Sequence, residues 1–204
     1  MSEYRRYHIE GGAYFFSVVT HERRPILTEP TARFCLHEAI REVKRERPFD
    51  LVAIVLMADH LHTIWTLPPG DAEYPLRWAQ IKESFTRRYR SAGGTEGRLS
   101  SSRIAHRERG AWQRRYWEHT IEEDDDFKHC LDYIHWNPVK HGVVGRVEDY
   151  PWSSFQRHVR LGEYEFGWGR VDPCPDADEG FEAWSTEEEK PRRLDRDRPR
   201  QGRK

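Results

Sequence analysis

Sulfur is scarce in this chain. The three cysteines, Cys35, Cys130 and Cys174, are isolated and odd in number, and none belongs to a Cys-x-x-Cys pair. That speaks against a disulfide framework and fits a reduced, cytoplasmic compartment. Long apolar runs are also missing. None approaches the ~18 residues of a membrane span, so no membrane partner is expected. The opening MSEYRRYHIEGG contains no apolar signal region. Nor does one sign of charge dominate, since the formal net charge is -1.

What is present is an uneven distribution of charge. Residues 77–115 hold eleven Lys or Arg against Glu83, Glu96 and Glu108, a local net of +8. Eight acids crowd into 171–190, and 191–204 turns basic again. A strongly positive block inside a neutral chain points to a polyanionic partner. Within it Arg77, Lys82, Arg87, Arg88, Arg90, Arg103, Arg107, Arg109, Arg114 and Arg115 are candidates for phosphate contacts, which fix position without reading sequence. Trp78, Tyr89, Trp112 and Tyr116 are interleaved with them. Unpaired bases stack on such rings for ~1–3 kcal/mol each, although Trp78 at least is expected in the core.

The 204 residues suit one domain, 1–165, with a charged tail, 166–204, that is expected to be disordered. Apolar residues at 36% make a lean core, to which eight Trp, nine Tyr and nine Phe add bulk. AYFFSVV at 13–19 reads as a strand after a Gly11-Gly12 turn. Residues 31–46 read as a helix with Phe34, Leu36, Ile40 and Val43 at helical spacing. LVAIVLM at 51–57 has the continuous apolar character of a buried strand, and HLHTIWT at 60–66 follows it antiparallel after the turn at Ala58-Asp59. A basic helix is predicted over 74–90, a mobile Gly/Ser/Arg loop over 91–110, a short strand over 116–121 and a last helix over 122–136. The order predicts an α+β protein: a ferredoxin-like βαββαβ antiparallel sheet with helices on one face, the other face left open, and a further C-terminal helix.

Two segments carry candidate chemistry. His60 and His62 are i and i+2 on a strand, so both imidazoles lie on one face, where they can share a divalent ion. Leu61 pins that strand from its other face. The pair by itself is equally compatible with two histidines making ordinary hydrogen bonds. On the last helix, Phe127, Cys130, Leu131 and Ile134 form the core stripe, while Asp126, His129, Tyr133 and Asn137 line one edge. Pro138 disfavours helix at the residue before it, so Asn137 is expected at the helix end. Taken singly, Tyr133 reads more readily as a boundary tyrosine with its hydroxyl in water, and Asn137 as an ordinary cap, than as functional residues. Together the parts suggest a reaction. A phenol of pKa ~10 needs help to act as a nucleophile at neutral pH, and a metal beside it polarises a phosphodiester.

Four segments then resemble the REP-associated tyrosine transposases, within the HUH single-tyrosine superfamily: YRRYHIEGGAYFFSV, VLMADHLHTIWTLP, WQRRYWEHTI, and LDYIHWNPVKHGVV followed by YPWSSF. The likeness runs in order over residues 4–160. It implies that His60 and His62 are ligands of Mg²⁺ or Mn²⁺, that Asn137 occupies the position of a polar third ligand, and that Tyr133 takes the 5′ phosphate of cleaved DNA. The implied partner is single-stranded DNA with palindromic hairpins, handled by a monomer or a homodimer, with Arg5 and Arg6 near the hairpin foot. Two other readings stay open: metal-assisted hydrolysis without a covalent intermediate, and a non-catalytic hairpin-binding regulator.

Overall fold

The computed structural model describes residues 9–106, 108–165 and 167–173. Arg5, Arg6, Arg107 and most of the expected tail lie outside the described residues. The first strand, β1 (Ala13–Val19), enters from Gly11, whose φ of 71° needs a residue without a Cβ. Helix α1 (Pro30–Glu46) begins with proline at its first position, where a missing N–H costs nothing. The hairpin β2 (Asp50–Leu56) and β3 (His60–Thr66) follows, then α2 (Tyr74–Ser91), a short α3 (Ser101–Ala105), β4 (Trp117–Ile121), α4 (Asp124–Lys140) and α5 (Phe155–Arg160).

The four strands form one antiparallel sheet in the order β2-β3-β1-β4, the ferredoxin-like arrangement. Strand alternation divides its side chains between two cores. Tyr14, Phe16, Val18, Leu61 and Trp65 point to one face and pack with α1 and α2 residues such as Leu36, Val43, Trp78, Ile81 and Phe85. Phe15, Val55 and Ile64 point to the other and meet Cys130, Tyr133 and Ile134 of α4. The second face is therefore covered, not open as expected. A lone sheet face rich in Phe, Val and Ile cannot stay in water, and the apolar stripe of α4 shields it.

Other expectations are corrected in detail. Phe34 is 65% exposed and Leu76 38%, because Cys35, Ala39, Arg77 and Trp78 take the inward positions on α1 and α2. The segment 91–110 is not loop throughout. Ser100 caps α3 by accepting from the Arg103 amide, and the buried Arg103 guanidinium donates to the carbonyls of Arg109 and Trp112. Helix α4 does not stop at Asn137 but runs through Pro138 to Lys140. The proline removes one backbone donor, a local cost that burial of Pro138 itself and of Ile134 in the second core offsets.

The chain after α4 straps that helix to the sheet edge. Tyr150 donates to the Leu56 carbonyl at 2.6 Å, and the Ile54 amide donates to Ser154 Oγ at 3.0 Å. His135 bridges Tyr164 Oη (3.0 Å) and Ser154 Oγ (2.9 Å), while Tyr164 donates to Asp132. Trp168 packs on Phe155 and Tyr164, and the Trp136 indole donates to the Gly169 carbonyl, which extends the packed unit past residue 165.

Candidate active site and nucleic-acid interface

Because β3 is antiparallel to β1, His62 stands opposite Ser17 and His60 opposite Val19. Both imidazoles point to the α4 face, with ring centroids 4.9 Å apart. Leu61, wholly buried on the other face, anchors the strand between them. The two rings are also held by their Nδ1 atoms. His60 Nδ1 donates to Asp59 Oδ1 at 2.7 Å, and His62 Nδ1 lies 2.7 Å from Ser17 Oγ. Among the described residues neither Nε2 has a protein hydrogen-bond partner. This outer support, a carboxylate on one ring and a hydroxyl on the other, is what orients ligating histidines and fixes their tautomer.

Burial drives the His62 imidazole well below its ordinary pKa, and the neighbours His60, His141, Lys140 and Arg23 push the same way, so His62 is neutral and able to ligate. Burial alone would raise the Asp59 carboxyl. The hydrogen bonds and charges of His60 and Arg23 outweigh it and bring Asp59 down to about 2, so it is ionised at neutral pH. Arg23 reaches Asp59 from a turn in which Glu22 and Arg23 both adopt left-handed φ, 55° and 48°. Such backbone in non-glycine residues is held only where surrounding contacts fix it.

Helix α4 brings Tyr133 to the pair. Its ring is edge-on to His62 at 5.2 Å and to Phe15 at 5.9 Å, and it is 1% exposed. One turn later Asn137 is fully buried, and among the described residues neither its Oδ1 nor its Nδ2 has a hydrogen-bond partner. A buried amide without partners is costly unless something else satisfies it. Two imidazole nitrogens and an amide oxygen are ligand types able to hold a divalent cation, so these residues fit an ion of that kind.

Four residues at the site were not singled out from the sequence. Ser17 and Asp59 support the histidines. Lys140 Nζ sits 4.9 Å from the Tyr133 ring centroid, and the His141 ring lies 5.5 Å from that of His60. Lys140 and His141 follow Tyr133 and Asn137 by seven and four residues, so helical spacing would have found them had the helix been carried through Pro138.

Known proteins share this sequence and fold. Residues 9–137 match the family model described as "Transposase IS200 like". The chain is 44% identical over 168 residues to a REP-associated tyrosine transposase of Escherichia coli K12, covering 82% of this chain and 91% of that one. This chain belongs to the REP-associated tyrosine transposase family. A putative REP-associated tyrosine transposase of Haemophilus influenzae is 41% identical over 170 residues, covering 83% of this chain and 94% of the other. The solved structure of a REP-associated tyrosine transposase bound to a REP hairpin superposes with a TM-score of 0.68 at 43% identity, covering 82% of this chain and 91% of that chain. In this transposase the α2–β4 region forms a groove of about 640 Å³, lined in part by Lys82, Arg87, Arg90, Arg109 and Arg114.

The basic candidates divide in the structure. Arg87, Arg114 and Arg115 are exposed, and Arg88 is partly so. Arg87 and Arg88 pair with Glu42, Arg114 with Glu108, and Lys82 donates to the Gln113 carbonyl. Arg77 and Arg103, by contrast, are buried and spend their donors on Asp71 and on backbone carbonyls, so they build the fold and do not meet phosphates. Tyr89 and Tyr116 are likewise buried and offer no open stacking face.

Proposed function

We propose that this transposase binds hairpin-bearing single-stranded DNA, then cleaves and rejoins it through a 5′-phosphotyrosine bond to Tyr133, with Mg²⁺ or Mn²⁺ held by His60, His62 and Asn137. The observation that carries the reading is the packing of the Tyr133 ring against the His62 imidazole, one helical turn from a buried amide without partners. When bound, the divalent ion supplies charge that neutralises a phosphodiester oxygen. Tyr133 Oη attacks phosphorus and loses its proton. The bond to the 3′ oxygen breaks, and that oxygen leaves as a hydroxyl. A later attack by a 3′ hydroxyl on the phosphotyrosine reverses these bond changes and frees Tyr133. Each step exchanges one phosphodiester for another, so no nucleotide cofactor is consumed. Lys140, against the Tyr133 ring, and Arg23, paired with Asp59, add positive charge to the site.

The relative whose structure holds a REP hairpin supports a hairpin substrate here. Lys82, Arg87, Arg90, Arg109 and Arg114 line a groove beside Gln113, whose amide bonds to the carbonyl of Val19, the residue opposite His60. The test is incubation with single-stranded hairpin DNA and Mn²⁺, followed by denaturing electrophoresis. Wild type is expected to give a denaturant-resistant protein–DNA species that Y133F does not form, while Y133F still binds the hairpin. Cleavage that survives Y133F would favour plain hydrolysis. Absence of cleavage by wild type on a matched hairpin would favour a binding protein.

A further inference from the structure

A second set of metal-ligating side chains lies on the same sheet face, away from the histidine pair. His119 of β4 and Asp126 and Cys130 of α4 bring one ligand atom each within 4.8 Å of one another. His119 Nε2 is 2.9 and 2.8 Å from the two Asp126 oxygens, and Cys130 Sγ is 3.7 Å from Asp126 Oδ1. Asp126 and Cys130 are i and i+4 on α4, so both face the strand that carries His119. We propose that His119, Asp126 and Cys130 form a binding site for a thiophilic divalent cation, Zn²⁺ being the natural occupant, distinct from the site at His60 and His62.

Three observations support it. The ligand types are imidazole, carboxylate and thiolate, the set that zinc accepts and that Mg²⁺ does not. The spacing is close to what an ion requires. Bond lengths of ~2.0–2.3 Å put tetrahedral ligands ~3.3–3.8 Å apart, so the sulfur–carboxylate distance already fits and the imidazole–carboxylate pair must open by roughly half an ångström. The surroundings also suit a cation. Glu122, Glu123, Asp124 and Asp125 lie beside the cluster, and although the first turn of a helix favours acids in general, Asp126 is turned inward onto His119. Cys130 is wholly buried, whereas the His119 and Asp126 side chains are 37% and 28% exposed, so an ion can enter from their side and keep one position for water.

The two sites cannot share an ion. His62 and His119 are separated by two strand spacings across the sheet and two residues along it, roughly 12 Å. Occupancy would pin the first half of α4 to edge strand β4, one helical turn before Tyr133. His119 also stacks on Trp117, which packs on Phe15 and through it on Tyr133, so the second site is linked to the first by a continuous row of rings.

The experiment is a Co²⁺ titration of the full chain carrying H60A and H62A. One equivalent is expected to bind with the visible bands of a four-coordinate ion and the strong near-ultraviolet absorption of a cobalt–thiolate bond, and Zn²⁺ is expected to displace it. C130S in the same background should abolish the thiolate absorption, and H119A, at a half-exposed side chain whose loss the fold tolerates, should weaken binding at least tenfold. Wild type in excess Mg²⁺ should show the same absorption, which covers the case of an H60A/H62A chain that fails to fold. Absence of the thiolate absorption in both chains overturns the proposal. So does absorption that persists in C130S, which would place the sulfur at another cysteine, and so does unchanged affinity in H119A.

Discussion

Replacing Asp59 by Asn separates the support of one histidine from that of the other. Asp59 accepts from His60 Nδ1 and from Arg23 Nη1, each at 2.7 Å, and is ionised at neutral pH. Its negative charge stabilises the imidazole most when Nε2 is bound to a cation, so its value is larger in the metal-bound state. Loss of such an outer partner lowers metal affinity ~10–100-fold, about 1.4–2.7 kcal/mol. The Arg23 ion pair is 40% exposed on the arginine side and adds at most ~1 kcal/mol, so the His60 effect should dominate. Ser17 on His62 is the contrast. S17A removes a neutral hydrogen bond and leaves a buried ring N–H unpaired, a cost of ~1–3 kcal/mol that falls on the empty and occupied states alike. D59N should therefore weaken Mn²⁺ binding by at least tenfold with a small change in melting temperature, and S17A should do the reverse. Calorimetric Mn²⁺ titration, with an H60A/H62A chain as blank, and thermal unfolding measure the two quantities. Equal Mn²⁺ affinity in D59N and wild type, or a larger affinity loss in S17A, would refute the reasoning.

Further outcomes are expected elsewhere. Burial, helped by the charges of His158 and Arg157, lowers His135 to about 3, whereas an unfolded histidine titrates near 6.5. The unfolded chain therefore binds the proton first as pH falls. Stability is full above about pH 6.5 and declines toward pH 3, by ~2–3 kcal/mol at about pH 4.5. Urea unfolding at the two pH values should show this, and H135Q should flatten the difference; an unchanged pH dependence in H135Q would argue against it. L61A should cost ~2–5 kcal/mol in urea unfolding, because Leu61 is wholly buried behind the two histidines, and a loss under ~1 kcal/mol would mean that it does not anchor them. The triple variant R87A/R114A/R115A should bind hairpin DNA with a shallower salt dependence, by ~0.9 for each phosphate that is no longer neutralised, while keeping its fold. R103A should instead lower the melting temperature, since it leaves the Arg109 and Trp112 carbonyls without their buried donor.

What the sequence determined by itself is what local spacing can encode. Alternation along HLHTIWT put His60 and His62 on one face and Leu61 on the other, and the element order of strands and helices specified the ferredoxin-like sheet. The apolar stripe of α4 likewise marked which side of that helix is buried. Tertiary structure decided what depends on partners distant along the chain. Only the pairing of β1 with β3 brings Ser17 to His62, and only the docking of α4 across the second face sets Tyr133 against His62 and carries the helix through Pro138 to Lys140, with His141 at its cap. The same holds for the arginines. Composition could mark Arg77 and Arg103 as positive, but their burial against carbonyls and a carboxylate follows from packing. A charge signals attraction to phosphate in sequence, yet its role is fixed by which acceptor the folded chain places within reach.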